Sequence, residues 1–437
     1  MIPIYDATNT SYEVVFQRAT EPAQEGGQSI EKIEEEVRQV LAQVKERGDQ
    51  ALREYTEKWD GVTIDHLLVS PEEMVHAKSQ VSPELLSIME EAAANIREFH
   101  QLQKRQDYEL KKEEGVLLGQ KTLPLERVGI YVPGGTASYP SSVLMNAIPA
   151  TIAGVSEIVM ITPPGKDGNI SPVILAAAQI AGVTQVIKVG GAQGIAALAY
   201  GTQSIPKVDK ITGPGNIYVA TAKKMVFGEV DIDMVAGPSE ILIIADEQAN
   251  PAHVAADLLS QAEHDVRAAA VLLTPSGDMA EAVTVELEYQ MAMLPRGETA
   301  RESMENQGKI VITQSLEQAM EWSNRYAPEH LELAVADPFL WLEKVRNAGA
   351  VFLGHHVPEA LGDYFAGTNH VLPTGGTARF SSPLSVEDFQ KRTNYIYYTK
   401  EALEKVKDSI VTFAQSEGLE AHGRSVAIRF EKEWQDE

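Results

Sequence analysis

Residues 127–150 read RVGIYVPGGTASYPSSVLMNAIPA, and the pattern that starts here decides the fold class. A short apolar run, Gly129–Val132, ends in the glycine-rich turn Pro133–Thr136. Similar runs follow along the chain, and alanine-rich segments such as Pro172–Ala181 and Ala192–Tyr200 separate most of them. Short apolar runs bounded by turns predict buried strands, whereas the longer segments between them predict helices. Because strands that alternate with helices form parallel sheets covered on both faces, we predict an α/β fold.

The run of predicted strands is too long for one sheet, so we predict two doubly wound, Rossmann-like domains. A boundary falls at the turn Val235–Pro238, which gives a smaller domain over residues 131–237. The larger domain collects residues 26–130 and 238–381 on either side of it. The predicted strands are Gly129–Val132, Glu157–Ile161, Gln185–Val189, Lys210–Thr212, Ile241–Ala245, Ala269–Leu273, Lys309–Thr313 and Ala350–Leu353.

The first hundred residues have a helical texture and show no catalytic signal. Apolar residues recur at helical spacing between Ser29 and Tyr55, and Ser70-Pro71-Glu72-Glu73 has the residues of a capping box. A third helix begins at Ser82-Pro83. We therefore predict a helical N-terminal region, preceded by an arm over residues 1–25.

Composition narrows the class of protein. The chain has 437 residues, of which 63 are acidic and 37 basic, giving a formal net charge of -26. The electric field of a protein with this negative charge repels a phosphate backbone, so nucleic acid is not an expected partner. The sequence shows no apolar run that could span a membrane and no secretory signal, so we expect a cytoplasmic enzyme. Because cysteine is absent, any metal must be held by nitrogen and oxygen ligands, and no thiol nucleophile is available.

The string SQAEHD, residues 260–265, is the first to suggest chemistry. A helix begins at Asn250-Pro251, and its spacing places Gln261 and His264 one turn apart on a face that we expect to be buried. A helix can supply two metal ligands in this way, although glutamine is an uncommon ligand. The alternative interpretation is a core histidine that is hydrogen-bonded to a neighbouring glutamine.

A carboxylate and an imidazole stand side by side in the string YAPEHL, residues 326–331. Glu329 and His330 can exchange protons near neutral pH once their surroundings shift their pKa values. They are therefore candidates for an acid–base pair. The alternative is a helix start, in which Glu329 favours the positive end of the helix dipole and His330 is incidental.

Two later segments carry further candidates, Asp363 and His370 in a glycine-rich stretch and Glu417 and His422 around a predicted turn. With Gln261 and His264, the side chains of Asp363 and His422 would complete four nitrogen and oxygen ligands. We interpret the neighbouring pair His355-His356 as structural, because adjacent residues at a strand end point apart.

Glycine-rich turns at Gly190–Gln193 and Gly213–Asn216 follow predicted strands, where helix amino termini offer N–H groups to anions. Neither turn is the dinucleotide fingerprint, since Tyr218 stands where that motif needs its third glycine. The two turns are therefore interpreted equally well as tight turns, which any α/β protein has, or as a nucleotide site.

These strings, taken together and in this order, closely resemble the histidinol dehydrogenase family. The resemblance covers the chain from about residue 125 to the end, and the first hundred residues fit the family only in being helical. Its matching stretches are 127–150, 190–197, 213–219, GPSEILII at 237–244, 260–265, APEHLE at 327–332, 362–376 and 417–426.

The resemblance implies the last two steps of histidine biosynthesis, in which L-histidinol is oxidised through L-histidinal to L-histidine while two NAD+ are reduced. It implies zinc ligands at Gln261, His264, Asp363 and His422, and acid–base roles for Glu329 and His330. The substrate would be surrounded by Ser239, His330, Asp363, His370 and Glu417 together with the metal ligands. NAD+ would contact Tyr131, Gln193 and Asn216. The family also implies a homodimer in which the C-terminal segment, residues 382–437, completes the partner's site.

Two alternatives from other classes remain at this stage. A zinc-dependent hydrolase could use the same ligands, with Glu329 activating water and no dinucleotide. A non-enzymatic scaffold would explain the acidic composition, but it would leave the Gln-His and Glu-His strings without a role.

Overall fold

A computed structural model describes residues 2–16, 29–134 and 138–431 of the chain. The strands of these residues are β1 (Ile4–Asp6), β2 (Tyr108–Glu113), β3 (Val116–Pro124), β4 (Arg127–Tyr131), β5 (Glu157–Ile161), β6 (Gln185–Ile187), β7 (Lys210–Thr212), β8 (Asp231–Ile232), β9 (Glu240–Ala245), β10 (Ala269–Thr274), β11 (Lys309–Ile312), β12 (His330–Ala334), β13 (Ala350–Leu353) and β14 (Gln390–Tyr398).

The α-helices of the same residues are α1 (Tyr12–Val15), α2 (Ile30–Arg47), α3 (Asp49–Asp60), α4 (Pro71–Gln80), α5 (Pro83–Gln101), α6 (Pro140–Ala153), α7 (Pro172–Ala181), α8 (Gly191–Tyr200), α9 (Ile217–Val226), α10 (Pro251–Ala262), α11 (Gly277–Met291), α12 (Gly297–Asn306), α13 (Leu316–Tyr326), α14 (Pro338–Leu342), α15 (Glu359–Tyr364), α16 (Lys400–Ser416) and α17 (Glu420–Ala427). None of these helices has the length and apolar character that a membrane span requires.

Two of the sheets are parallel and share one topology. The smaller runs in the order β6-β5-β4-β7-β8, and the larger runs β1-β11-β10-β9-β12-β13. Leaving aside the added edge strand β1, both follow the chain in the order third, second, first, fourth, fifth, which is the doubly wound arrangement. The prediction of two doubly wound, Rossmann-like sheets is therefore confirmed.

All of the predicted strands are present; three have the predicted bounds, and the ends of the others differ by one or two residues. The prediction missed one interior strand of the larger sheet, β12, which pairs with β9 on one side and with the edge strand β13 on the other. Its sequence, HLELA, interrupts an apolar run with His330 and Glu332, although every residue in it is buried. The strand was not predicted because its buried side chains include polar ones, whereas the expected pattern for a central parallel strand is continuously apolar.

The N-terminal region is helical, as predicted, and its caps follow from the sequence. The side chain of Ser29 caps α2, and Ser70 and Glu73 form a complete capping box at α4. Apolar residues of α2 and α5 join the hydrophobic clusters on the two faces of the smaller sheet. This packing differs from the predicted grouping of residues 26–130 with the larger domain; the domain limits themselves stay a prediction.

Of the predicted arm over residues 1–25, the structure describes 2–16, and residues 17–28 lie outside the described part. Strand β1 pairs in parallel with β11, so the start of the chain belongs to the larger sheet. The turn at Pro133–Thr136 is likewise described only in part, because residues 135–137 lie outside it.

Arg105–Pro124 and Gln390–Glu437 form a compact unit of their own. Its described residues build the antiparallel sheet β14-β3-β2 and the helices α16 and α17. The buried residues among them are few, namely Val116, Gly119, Ala402, Ala414 and Gly423. Large apolar side chains are exposed instead, including Ile396 at 76% and Phe413 at 70%.

A buried ion pair fixes the turn after β7. Lys223 on α9 and Asp233 form an ion pair with side chains only 2% and 1% exposed. The Lys223 Nζ donates to the Gly213 carbonyl oxygen at 2.9 Å, and the Gly213 N–H donates to Asp233 Oδ2 at 2.8 Å. Both backbone groups of Gly213 are thereby held. Gly213 has φ of +113°, and a Cβ there would lie 2.1 Å from the Tyr131 carbonyl oxygen, so only glycine fits.

We predict that Lys223→Met lowers the free energy of unfolding by about 3–5 kcal/mol, because it leaves the Asp233 carboxylate buried without its counter-charge. Urea unfolding measures the effect. Lys224→Met is the matched control, since Lys224 is 62% exposed in its ion pair with Glu34 and such pairs contribute about 1 kcal/mol or less. Equal destabilisation by the two variants would contradict the prediction.

Candidate active site

One backbone residue, Glu240, binds both members of the predicted acid–base pair. Strands β9 and β12 lie side by side, with His330 opposite Ile241. The Glu240 N–H donates to Glu329 Oε2 at 2.8 Å, and His330 Nδ1 lies 3.0 Å from the Glu240 carbonyl oxygen. A carbonyl oxygen can only accept, so this bond requires the proton on Nδ1 and leaves the lone pair on Nε2. The alternative that Glu329 starts a helix is wrong, since His330 begins a strand.

The free nitrogen of His330 faces carboxylates. Its Nε2 is buried and has no hydrogen-bond partner among the described residues. It lies 3.7 Å from Glu359 Oε1 and 3.9 Å from Asp363 Oδ1. One ligand atom from each of these three residues lies within 4.8 Å of the others, which is an arrangement that could hold a metal ion.

Gln261 lies against the same imidazole. It is fully buried in the last turn of α10, and its Nε2 is 3.1 Å from His330 Nδ1. Because an amide nitrogen donates and a carbonyl oxygen accepts, Nδ1 can form a hydrogen bond with only one of these two groups, and we assign it to the Glu240 carbonyl oxygen, which is the nearer at 3.0 Å. The Gln261 Oε1 is buried and unpaired among the described residues. An unpaired buried amide oxygen is costly, and a cation at this position would remove the cost.

The structure places His264 differently from the prediction. Helix α10 ends at Ala262, so His264 lies beyond it in a turn and is exposed. The expectation that it continues the buried face of the helix is wrong. An electrostatic interaction with His264 is nevertheless a minor cause of the lowered pKa values of His330 and His370.

Burial dominates the acid–base properties of the group. It lowers the pKa of His330 to about 4, so the imidazole is neutral at neutral pH and Nε2 can accept a proton. Burial also raises the pKa of Glu329 well above its ordinary value, and it raises that of Glu359 to about 8 with help from the charge of Asp363. Carboxyl groups with raised pKa values in a buried group that also holds a neutral histidine are typical of catalytic sites.

Three other predicted residues lie around this group. Asp363 is on the short helix α15, and its backbone oxygen lies 3.0 Å from His370 Nδ1. Burial lowers the pKa of His370. Ser239 directly precedes Glu240, and its carbonyl oxygen accepts the Ala269 N–H at 3.0 Å.

The remaining predicted residues of this site belong to the second compact unit. Glu417 ends α16 and His422 lies on α17, and both side chains are exposed. His355 and His356 lie in a turn after β13 and take no part in the His330 group.

The three residues predicted to contact NAD+ line one cavity of about 1290 Å³. They are Tyr131 at the end of β4, Gln193 in the first turn of α8 and Asn216 before α9. Tyr131 and Asn216 lie at the carboxyl ends of the neighbouring strands β4 and β7, between which the order of the smaller sheet reverses, and open α/β sheets bind ligands at such a point. Gln193 follows the carboxyl end of β6 in the same sheet. The N-terminal helices complete the wall with residues such as Trp59, Asp60 and His76.

Local bonds set the orientation of these residues. The Gly191 N–H donates to the Tyr131 hydroxyl at 3.3 Å, and burial raises the pKa of Tyr131 to about 12, so the phenol stays neutral. Asn216 caps α9 by accepting from the N–H groups of Tyr218 and Val219. Gln193 is 2% exposed, and its Oε1 is buried and unpaired among the described residues. The cavity thus combines helix amino termini with an unused amide oxygen.

Sequence reasoning missed Glu359 and Gly349. Glu359 begins α15 after Pro358, and an acidic residue in the first turn of a helix gave no signal beyond capping. Gly349 donates its N–H to the Pro328 carbonyl oxygen, and a Cβ there would lie 2.5 Å from the Glu329 carbonyl oxygen. Gly349 therefore keeps space for the backbone that carries Glu329 and His330.

Comparison with known proteins decides the family. The family model described as histidinol dehydrogenase matches residues 23–430. A histidinol dehydrogenase of Listeria monocytogenes is 56% identical over 402 residues, which cover 92% of this chain and 94% of that protein. One of Geobacillus kaustophilus is 56% identical over 393 residues, covering 90% and 93%.

The chain belongs to the histidinol dehydrogenase family. It is accordingly an oxidoreductase of histidine biosynthesis. The crystal structure of histidinol dehydrogenase from Elizabethkingia anophelis agrees with the fold, with a TM-score of 0.92, 39% sequence identity and coverage of 98% of both chains.

We predict that Gly349→Ala reduces histidinol dehydrogenase activity by about 10- to 100-fold, because small misplacements of catalytic groups have effects of that size. The added Cβ would displace the Glu329 backbone. Initial rates of NADH formation and a thermal unfolding curve measure activity and folding separately. Gly277→Ala is the control, since a Cβ at Gly277 meets nothing within 4 Å; the prediction fails if both variants keep full activity.

Proposed function

We propose that this chain catalyses the NAD-dependent, four-electron oxidation of L-histidinol through bound L-histidinal to L-histidine. The observation that carries the proposal is the buried, neutral His330, whose unpaired Nε2 faces Glu359 and Asp363 beside an unpaired Gln261 Oε1. This arrangement offers a base and several cation-binding oxygens within one small volume. Family membership supports the same chemistry.

NAD+ is proposed as the hydride acceptor, used twice in each turnover. Tyr131, Gln193 and Asn216 are its proposed contacts, supported by their common position in the cavity of about 1290 Å³. Anionic groups of a dinucleotide are favoured at helix amino termini, and α8 and α9 both begin at this cavity.

Zinc is proposed as the resident metal, one ion in each subunit. Its proposed ligands are Gln261, His264, Asp363 and His422, and the buried, unpaired Oε1 of Gln261 and the carboxylate of Asp363 in the acidic group fit a cation with nitrogen and oxygen ligands. When bound, the ion would hold the nitrogens of the substrate and so fix the carbinol carbon for hydride transfer.

In the first oxidation, His330 is proposed to take the hydroxyl proton at Nε2 while hydride leaves the carbinol carbon for NAD+. The products of this step are the aldehyde, NADH and an imidazolium. The Glu240 carbonyl, as acceptor of the Nδ1 proton, holds the ring in the tautomer that this step needs.

In the second oxidation, water is proposed to add to the aldehyde, because the chain has no cysteine to form a thiohemiacetal. Glu329 is the proposed base for this water, and its raised pKa makes the carboxylate a stronger base than an exposed one. After the imidazolium formed in the first step has released its proton to solvent, His330 again accepts a proton as hydride leaves the gem-diol for a second NAD+. Ser239, Asp363, His370 and Glu417 are proposed to bind the substrate.

A homodimer with shared sites is proposed as the active species. The unit formed by Arg105–Pro124 and Gln390–Glu437 buries few of its described side chains and exposes large apolar ones such as Ile396 and Phe413. Exposed apolar surface of this kind is typical of an interface. Residues 382–437 are therefore proposed as the dimerisation segment, with Glu417 and His422 completing the partner's site. A cytoplasmic location remains a prediction.

The direct test is NAD+ reduction with L-histidinol. We expect two NADH for each histidine formed, and loss of the reaction after treatment with a chelator, with recovery on addition of zinc. A zinc-dependent hydrolase, the alternative from the sequence, would need no dinucleotide. Absence of NADH from zinc-loaded protein would overturn the proposal.

We predict that Gln261→Leu lowers zinc affinity by at least about 10-fold, since loss of even an outer-shell partner of a metal has an effect of that size. Elemental analysis after dialysis measures bound zinc. Gln248→Leu is the control, because Gln248 is exposed and lies outside the group. Unchanged zinc in the Gln261 variant would exclude that residue from the ligand set.

We predict that Glu329→Gln impairs the oxidation of supplied histidinal more than the oxidation of the alcohol, because only the aldehyde step needs activated water. General-base assistance contributes about 10²- to 10⁴-fold, which sets the expected loss in the second step. Single-turnover NADH formation from each substrate separates the steps. Equal losses in both would count against Glu329 as the water activator.

We predict that mixing inactive Glu329→Gln and His422→Ala subunits restores activity, with one functional site in each heterodimer. The restored site would take Glu329 from one chain and His422 from the other. Two affinity tags allow isolation of the heterodimer, and each variant alone is the control. An inactive heterodimer would argue for sites built from a single chain.

A further inference from the structure

Asp60 is a carboxylate in the wall of the large cavity that no step above uses. It ends α3, next to Trp59, and both residues line the cavity. Its Oδ2 is buried and has no hydrogen-bond partner among the described residues, although the residue as a whole is partly exposed. An unpaired buried carboxylate oxygen is unfavourable unless a ligand supplies the missing donor.

Asp49, at the other end of the same helix, is a carboxylate whose hydrogen bonds are supplied by the protein. Asp49 accepts hydrogen bonds from the side chains of Thr202 and Ser204, which outweigh its burial and lower its pKa. For Asp60, burial is the resolved cause of its shift and raises the pKa to about 6. The protein thus supplies hydrogen bonds to Asp49 and leaves Asp60 without them.

The charges of the residues that line the cavity indicate which kind of hydrogen-bond donor would bind to Asp60. The described lining carries the carboxylates Glu36, Asp60, Glu73 and Asp167 against one lysine, Lys166, and Glu73 is paired with Lys188 outside the lining. Asp60 also stands at the C-terminal end of α3, where the helix dipole is negative. The position next to Asp60 therefore disfavours a phosphate, for which the amino termini of α8 and α9 are suited instead, and favours neutral hydroxyl groups that donate hydrogen bonds.

We propose that Asp60 accepts hydrogen bonds from the adenosine ribose hydroxyls of the dinucleotide and thereby excludes a ribose that carries a 2′-phosphate. Asp60 is on this view the residue that selects NAD+ over NADP+, a role that rests on the proposed function of the cavity. In doubly wound domains an acidic residue on the second strand commonly binds the ribose 2′-hydroxyl; here an N-terminal helix supplies it.

The test compares Asp60→Asn with the wild-type holoenzyme in direct binding of NAD+, 2′-deoxyadenosine NAD+ and NADP+ by calorimetry. We expect Asp60→Asn to weaken NAD+ by about 10-fold, the size of a hydrogen bond to a charged group, and to reduce the preference over NADP+ by at least about 10-fold. The wild type should bind the deoxy analogue about 10-fold more weakly than NAD+, and Asp60→Ala, which has no acceptor at this position, should bind both alike.

Glu57→Gln is the matched control, since Glu57 lies on the same helix, is exposed and is absent from the cavity lining. It makes the same change of charge and should leave all three affinities unchanged. Thermal unfolding checks the fold, and Asp60→Ser provides a second variant if Asp60→Asn unfolds.

The outcomes separate this inference from the proposed function. Wild-type protein that binds NAD+, together with an Asp60→Asn variant of unchanged selectivity, would overturn the role of Asp60 and leave the dehydrogenase intact. Wild-type protein that fails to bind NAD+ would overturn the proposed function and the role of Asp60 with it. An equal effect of Glu57→Gln would mean that the loss of any nearby negative charge changes the affinities. This outcome would also overturn the role of Asp60.

Discussion

The parallel pairing of β9 with β12 is the constraint on which the candidate site depends. It brings the amino end of β12 beside Glu240, whose N–H binds Glu329 and whose carbonyl oxygen lies within hydrogen-bond distance of His330. A single peptide residue therefore orients a carboxylate and fixes the tautomer of an imidazole. Because both bonds use backbone atoms of a central strand, the geometry does not rely on the rotamer of any other side chain.

The two parallel sheets share one topology, but their candidate residues lie at opposite ends of the strands. Tyr131 and the turns before Gln193 and Asn216 lie at carboxyl ends of the smaller sheet, where sequence rules for open α/β folds expect a ligand. Glu329 and His330 lie at the amino end of β12 in the larger sheet. The rule singled out the turns of the smaller sheet, whereas the family resemblance supplied Tyr131, Gln193 and Asn216 as contact residues. Glu329 and His330 were candidates because a carboxylate and an imidazole stand side by side in the sequence, and the resemblance supported that role.

Most of the fold followed from hydrophobic pattern, because buried parallel strands and capped helices leave strong local signals. The ends of α2 and α4 could be read from Ser29, Ser70 and Glu73, and these caps are present. Strand β12 could not be read, since its buried His330 and Glu332 resemble exposed residues in sequence. His264 was misplaced for a related reason: helical spacing continued past Ala262, while the chain left the helix there. Local periodicity does not contain the tertiary contacts that decide such cases.

The two candidate sites differ in how their buried charges are compensated. Lys223 neutralises Asp233 behind the glycine turn of the cavity, so the protein itself completes that pair. At the His330 group, Glu329, Glu359 and Asp363 stand together without a lysine or arginine among their described ion-pair partners, and burial raises the pKa of both glutamates. An uncompensated group of this kind is unfavourable for the folded chain alone, and either proton uptake or an added cation relieves it. A metal ion and a cationic substrate are therefore expected to stabilise the fold as they bind. The same buried carboxylates would then affect both the stability of the chain and its catalysis.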